Sequence, residues 1–262
     1  MSVWTLTRRP NCLFCARKTR KEFRLAILPW VRTIAHFLRD QLYPPRCPGC
    51  GRVGTLYCSA CFDAVPRIVP PICELCGQPL SAPGRHCCSR CGRTPLQIDG
   101  IRSAALFKGS LREAIHRLKY GYAADMAVPL GKMLLAFWQN TPLSADVLVP
   151  IPLHPHRERA RGYNQADLLA RQLAAFIERP VWRNVLQRRK NTLSQTQLNA
   201  EQRQENVRGA FSCTEAIRGK RVLLIDDVCT TGATLSTCAQ AALAAGAKAV
   251  YGLTVTEARG SL

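Results

Sequence analysis

The chain has 262 residues, 47% of them hydrophobic and 21% charged, enough apolar material for one ordinary core and a small accessory module. This composition excludes disorder, collagen and a coiled coil as the main description. A net charge of +20, from 37 Lys and Arg against 17 Asp and Glu, points to a polyanionic partner. The charge is split equally, +10 in residues 1–100 (15 basic, 5 acidic) and +10 in residues 101–262 (22 basic, 12 acidic), but the cysteines are not: eleven of 14 precede residue 92. That asymmetry marks a domain boundary.

The first segment, residues 1–41, reads as a basic arm followed by an amphipathic helix. Arg8, Arg9, Arg17, Lys18, Arg20, Lys21 and Arg24 precede a short apolar run, Leu25 to Val31, which Arg32 interrupts and no small-residue cleavage site follows. It therefore does not read as an export signal. No stretch approaches the roughly 20 uncharged apolar residues of a membrane span, and the expectation is a reduced, cytoplasmic protein. Trp30, Val31, Ile34, Phe37, Leu38 and Leu42 share one helical face suited to packing. The Cys12/Cys15 pair has no partner pair nearby.

Residues 42–96 carry four x2-spaced cysteine pairs: Cys47/Cys50, Cys58/Cys61, Cys73/Cys76 and Cys88/Cys91, with Cys87 beside the last. Two thiolates at this spacing can face one tetrahedral metal, because the turn between them aims its N–H groups at the sulfurs. Gly51, Gly77 and Gly92 follow three of the pairs, where such a knuckle often needs a positive φ. Eight ligands make two closed four-cysteine zinc sites, paired either sequentially (Cys47, Cys50, Cys58, Cys61; Cys73, Cys76, Cys88, Cys91) or interleaved. A closed thiolate shell leaves no room for substrate, so one or two zinc ions here are structural and hold a segment too small to fold by apolar burial. Disulfides, unbound thiols and iron–sulfur ligation are the competing readings. Arg46, Arg52, Arg67, Arg85, Arg90 and Arg93 surround the knuckles, as a nucleic-acid contact or simply a solvated face.

From residue 97 to 262, apolar runs alternate with helical patterns. Strands are expected at Ile101–Phe107, Val147–Val149, Val181–Val185, Arg221–Ile225 and Ala249–Val255. Helices are expected from a capping box at Ser110–Glu113 to about Leu118, from an Asp125 cap to Trp138, over 165–177 and over Ala233–Ala245. Such alternation implies an α/β fold with a mainly parallel sheet flanked by helices.

The segment Val222 to Leu235 carries the chemistry. A buried strand runs into Asp226 and Asp227, then a loop with Thr230, Thr231, Gly232, Ala233 and Thr234, then a helix. Hydroxyls and amides at a helix N-terminus suit a phosphate monoester, and Gly232 allows close approach. Acids at the carboxyl end of a strand can accept hydrogen bonds from vicinal hydroxyls or hold a hydrated divalent cation. The loop lacks the lysine of a GxxxxGK[ST] P-loop.

This segment resembles the 5-phosphoribosyl-1-pyrophosphate (PRPP) signature of type I phosphoribosyltransferases. Together with the cysteine pairs and the stretch from Val149 through Arg161-Gly162-Tyr163-Asn164-Gln165-Ala166, the chain resembles the ComF/GntX family over roughly residues 40–257. The resemblance implies a type I phosphoribosyltransferase-like domain behind a double zinc ribbon. It implies that Asp226 and Asp227 hold the ribose hydroxyls as the catalytic acids, and that Thr230 to Thr234 cradle the 5-phosphate. Pro150, Ile151 and Pro152 would approach the pyrophosphate, with Mg²⁺ accompanying PRPP. The stretch Arg189–Asn199 with Arg203 and Asn206 resembles a mobile loop closing over the ligand, its Arg189 and Lys190 neutralising pyrophosphate. Arg157, Arg159 and Arg161 follow the proline turn and face phosphate, a nucleic-acid backbone or solvent, and Lys119 reaches toward the same crevice. Where 6-oxopurine transferases carry an Asp before the Thr-Gly pair, this chain has Thr230, which disfavours that substrate class.

Three functions follow from the resemblance. The first is an accessory role in natural competence and the uptake and use of external DNA, with PRPP, single-stranded DNA and DNA-processing proteins as partners. The second is an active phosphoribosyltransferase of nucleotide metabolism with an unidentified acceptor. The third is a non-catalytic zinc-ribbon scaffold. Fold and motif alone do not establish turnover.

Overall fold

Residues 44–258, apart from 82, 83, 122 and 189–209, are described by a computed structural model. The N-terminal arm and its amphipathic helix, Cys12 and Cys15, and the loop expected from Arg189 and Lys190 to Asn206 lie outside the described residues. The chain divides into two compact units, 1–45 and Arg46–Leu262, and every strand and helix named below belongs to the second.

Six strands occur among the described residues: β1 (Gly100–Leu106), β2 (Val147–Pro150), β3 (Leu186–Arg188), β4 (Phe211–Cys213), β5 (Arg221–Cys229) and β6 (Ala249–Glu257). β1, β2, β5 and β6 form one parallel sheet in the order β1-β6-β5-β2, and β3 and β4 make a separate antiparallel pair. The helices are α1 (Ser59–Asp63), α2 (Ser89–Arg93), α3 (Gly109–Tyr120), α4 (Ala127–Asn140), α5 (Pro155–Arg161), α6 (Gln165–Ile177) and α7 (Ala233–Ala244).

The apolar strands are buried on both faces, as a parallel sheet covered by crossover helices requires. Leu148, Leu223 and Ile225 point to one side, where Leu111, Ile115 and Leu118 of α3 pack with Leu130 and Met133 of α4 and Leu169 and Leu173 of α6. Val147, Val149, Val222 and Leu224 point to the other, against Leu235, Cys238 and Ala242 of α7 and Phe211 of β4. At the amino end of the sheet, Asp146 takes hydrogen bonds from the backbone N–H (2.8 Å) and guanidinium (2.6 Å) of Arg221, which bolt β2 to β5 and hold its carboxyl well below the usual range.

β1 is an edge strand, and the cysteine-rich segment covers it. Ile101 donates its N–H to Leu75 (2.7 Å), Leu106 to Pro66 (2.9 Å), and Ile68 to Ala104 (3.4 Å). Gly77 sits so close that an added Cβ would collide with the Ile101 carbonyl oxygen. The first ribbon rests on α3 through Tyr57 and Ser110 (2.7 Å between their hydroxyl oxygens) and through Arg117, which donates to the Arg46 carbonyl at 2.6 Å.

Several local expectations need correction. Ser110 caps nothing: α3 begins at Gly109 behind Lys108, and the serine hydroxyl serves Tyr57 and the Cys61 carbonyl instead. Asp125 lies in a 3-10 turn, and α4 starts two residues later without a side-chain cap. Val181 makes only an isolated bridge to Leu148, the strand in this region being β3. Tertiary contacts override the local signal in each place. Helix α5 and strand β4 have no counterpart among the expected elements.

Candidate functional site

The eight module cysteines form two groups, Cys47/Cys50/Cys58/Cys61 and Cys73/Cys76/Cys88/Cys91, each with its sulfurs within 4.8 Å of one another. The interleaved pairing is thereby excluded. A zinc tetrahedron with Zn–S bonds of about 2.3 Å has S···S edges of about 3.8 Å. Cys47–Cys58, Cys50–Cys58 and Cys76–Cys88 are separated by 3.6, 3.7 and 3.7 Å, so both groups fit zinc. The knuckles at Cys47 and Cys73 close through Gly51 and Gly77, both at positive φ (74° and 72°). Gly92, in contrast, belongs to helix α2 and needs no such conformation.

Burial pushes the Cys47 thiol up, but the N–H groups of Cys50, Cys58 and Gly49 outweigh it and hold the thiol at about 6. Cys73 is likewise brought to about 6, the amides of Cys76 and Cys88 overcoming burial. Hydrogen bonding with the Cys58 sulfur, then burial, raises Cys61 to about 12. Four clustered thiols cannot all ionise alone, and a divalent cation removes that conflict.

The second site lies at the carboxyl end of the sheet. The β2 ladder stops at the pair Pro150↔Ile225, whereas β5 continues beside β6 to Cys229↔Glu257. The proline cannot extend the ladder as a donor, so the sheet has a step where Asp226 and Asp227 begin. Strand alternation sends the two acids to opposite faces. Asp227 points toward α3, where it is almost fully buried and meets the Lys119 ammonium at 3.0 Å; its N–H donates to Asp226 Oδ1 at 2.8 Å. Asp226 points toward α7 and β3. Burial first, and the neighbouring Asp227 charge second, push its carboxyl up to about 8, with Lys119 pulling the other way.

Beyond β5, Gly232 takes a left-handed conformation (φ 79°) and caps the 12-residue helix α7. An added Cβ there would lie 2.9 Å from Leu96 and 3.0 Å from Ile101. The close approach expected at this glycine is therefore to the protein's own core. Thr231 is buried, and its Oγ1 accepts from the Ala233 N–H at 3.3 Å. Thr230 and Thr234 are half-buried at the helix entrance, where first-turn amides have no intrahelical acceptors.

Pro150 and Pro152 line a cavity of about 470 Å³ with Asn164, Asp167, Arg183 and Arg188. Ile151 is buried and donates to Ile225 (3.0 Å). Neither the acids nor the threonine loop line this cavity, but Arg188 links the two regions: desolvation and Arg157 lower its pKa, while Cys238 and Asp226 raise it. Sequence reasoning misses Arg188, although it directly precedes Arg189. It also misses Glu257, a buried acid at the end of β6; a strand's last residue gives no signal of its neighbours.

The Arg161–Ala166 stretch is largely architectural. Asn164 caps α6 by accepting from Ala166 and donates to the Ile151 carbonyl, both at 3.0 Å. Tyr163 donates to the Leu118 carbonyl at 2.7 Å. Arg161 bonds Gln165 and lies over the Tyr120 ring. His154 caps α5 through its ring nitrogen. No helix among the described residues is long and apolar enough to cross a membrane.

Known families and proteins resemble this chain in both of its parts. The double zinc ribbon domain matches residues 38–92 and the phosphoribosyl transferase domain residues 140–260. The chain is 32% identical over 198 residues to the DNA utilization protein YhgH of Salmonella typhimurium, covering 74% of this chain and 86% of that one. It is 30% identical over 187 residues to competence protein F of Haemophilus influenzae, covering 68% and 80%. With competence protein ComFC of Bacillus subtilis it shares 31% identity over 204 residues, covering 72% and 78%.

Proposed function

Since the chain belongs to the ComF/GntX family, with its double zinc ribbon and phosphoribosyltransferase-like domain, we propose that it binds PRPP and single-stranded DNA as an accessory factor in the uptake and use of external DNA. The observation that carries the reading is the step in the sheet at Pro150↔Ile225, which leaves Asp226 and Asp227 beyond the last β2 partner and beside the entrance of α7.

In this reading Asp226 and Asp227 accept the ribose hydroxyls and Thr230 to Thr234 receive the 5-phosphate. The Pro150-Ile151-Pro152 turn borders the pyrophosphate, and Arg161, Arg189 and Lys190 supply positive charge to it. Mg²⁺, when bound with PRPP, neutralises part of the diphosphate charge. The two zinc ions hold the ribbons in shape and take no part in the chemistry.

Calorimetric titration of the zinc-loaded protein with PRPP and Mg²⁺ tests the reading. Saturable heat is expected, weakened at least tenfold in Asp226→Asn; no heat from the parent protein overturns it and leaves a zinc-ribbon scaffold.

The position of Asp226 supports a second reading, turnover. Once ionised, above about pH 8, the Asp226 carboxyl is a stronger base than an ordinary carboxylate and is matched to taking a proton from an attacking acceptor. The acceptor bonds to the ribose anomeric carbon as the bond to pyrophosphate breaks. Labelled PRPP with Mg²⁺ and cell extract then releases pyrophosphate, and release that persists in Asp226→Asn counts against this role.

A further inference from the structure

Tyr120, the last residue of α3, is 56% exposed. Its ring is not idle: the His116 ring lies 5.0 Å away at 48°, and the Arg161 guanidinium stands 5.6 Å from the ring centroid. Arg112, His116 and Tyr120 are spaced by four residues and all exposed, so they form one ridge along the helix. Arg161 is held in place by Gln165. Lys119, the residue beside Tyr120, turns inward to Asp227 at 3.0 Å. The helix that carries the ridge therefore also supplies the lysine that meets the paired acids.

We infer that this ridge is a stacking platform for the unpaired bases of a single-stranded nucleic acid. Tyr120 and His116 offer ring faces, on which any base stacks irrespective of sequence. Arg112, one turn before His116 and exposed, meets the phosphates of a strand only through charge, so it fixes affinity and salt dependence rather than sequence. A duplex hides its base faces and gains nothing from the tyrosine. The platform deepens the proposed function, since it rests on single-stranded DNA as the partner and puts that partner on the helix that carries Lys119.

The test is fluorescence anisotropy with a labelled oligothymidine and the full-length zinc-loaded protein at low salt. Tyr120→Ala weakens binding by roughly tenfold and Tyr120→Phe retains it, while Arg112→Ala lowers the slope of log affinity against log salt by about one. Tyr120→Ala keeps the thermal melting midpoint of the parent, which confirms a folded protein. Equal binding of the strand by Tyr120→Ala and parent, no binding by the parent, or equal affinity for the matching duplex overturns the platform. If the parent takes no PRPP but Tyr120→Ala loses the strand, the socket reading falls and the platform stands.

Discussion

Lys119 Nζ stands 3.0 Å from Asp227 Oδ2, with the carboxylate 3% and the lysine 23% exposed. No well-aligned hydrogen bond reaches that oxygen among the described residues, so the charge of the lysine is what compensates the buried acid. Removing one member of a buried pair leaves the other uncompensated. Lys119→Ala is expected to lower the free energy of unfolding in urea by about 2–3 kcal/mol, and adding Asp227→Asn to recover most of it. A Lys119→Ala protein as stable as its parent would sink this account.

Asp226 sets a pH dependence of the ligand-free protein. Its folded carboxyl, raised to about 8 from 3.8 by burial and by Asp227, holds a proton that the unfolded chain releases near pH 4. Between those values the folded state binds more protons, so this group makes stability fall as pH rises from about 4 to about 8. Asp226→Asn should match the parent near pH 4 and exceed its stability at pH 8, read from denaturation midpoints. A constant difference between the two proteins across that range contradicts the assignment.

Two knuckle glycines separate backbone strain from packing. Gly51 and Gly77 share a positive φ, but a Cβ meets open space at Gly51 and runs into the Ile101 carbonyl oxygen at Gly77. Gly51→Ala carries only the conformational cost, about 1 kcal/mol. Gly77→Ala must also push the knuckle off β1, for a total above about 2 kcal/mol. Thermal melts of the two zinc-loaded variants should rank in that order.

The cysteine groups specify a metal count. Two zinc ions per chain are expected by atomic absorption. Cys50→Ser and Cys76→Ser each reduce the count to one, while Cys87→Ser keeps two because that thiol is outside both groups. In cobalt-substituted protein the visible bands should report four-thiolate tetrahedra. Three ions, or loss of one in Cys87→Ser, would require a different ligand set.

Much of this molecule is legible in its sequence because its strongest signals are local. The strand, the two acids, the threonine loop and the helix from Ala233 are contiguous, although β5 runs on through the acids to Cys229 rather than stopping at Ile225, and helix α6 lies where its apolar period places it. The paired cysteines reveal the metal groups, but spacing alone cannot choose between sequential and interleaved ligation; three-dimensional proximity does. What stays hidden depends on distant residues. Ser110 has the sequence of a helix cap and is taken by Tyr57, 53 positions away. Gly232 has the sequence of a phosphate-facing glycine, but its open side is occupied by Leu96 and Ile101. Arg188 and Glu257 enter the site region only through the assembly of strands that no short window contains.

The ribbon segment laid along β1 links metal supply to the company the protein keeps. A bare parallel rim offers its amides and carbonyls to any passing strand, including one from a second copy, and the ribbons carry two cysteine groups that fit zinc, a metal on which such small modules depend for their shape. Metal starvation would thus unclasp the rim while leaving the step between β2 and β5 in place, opening β1 to adhesion between copies.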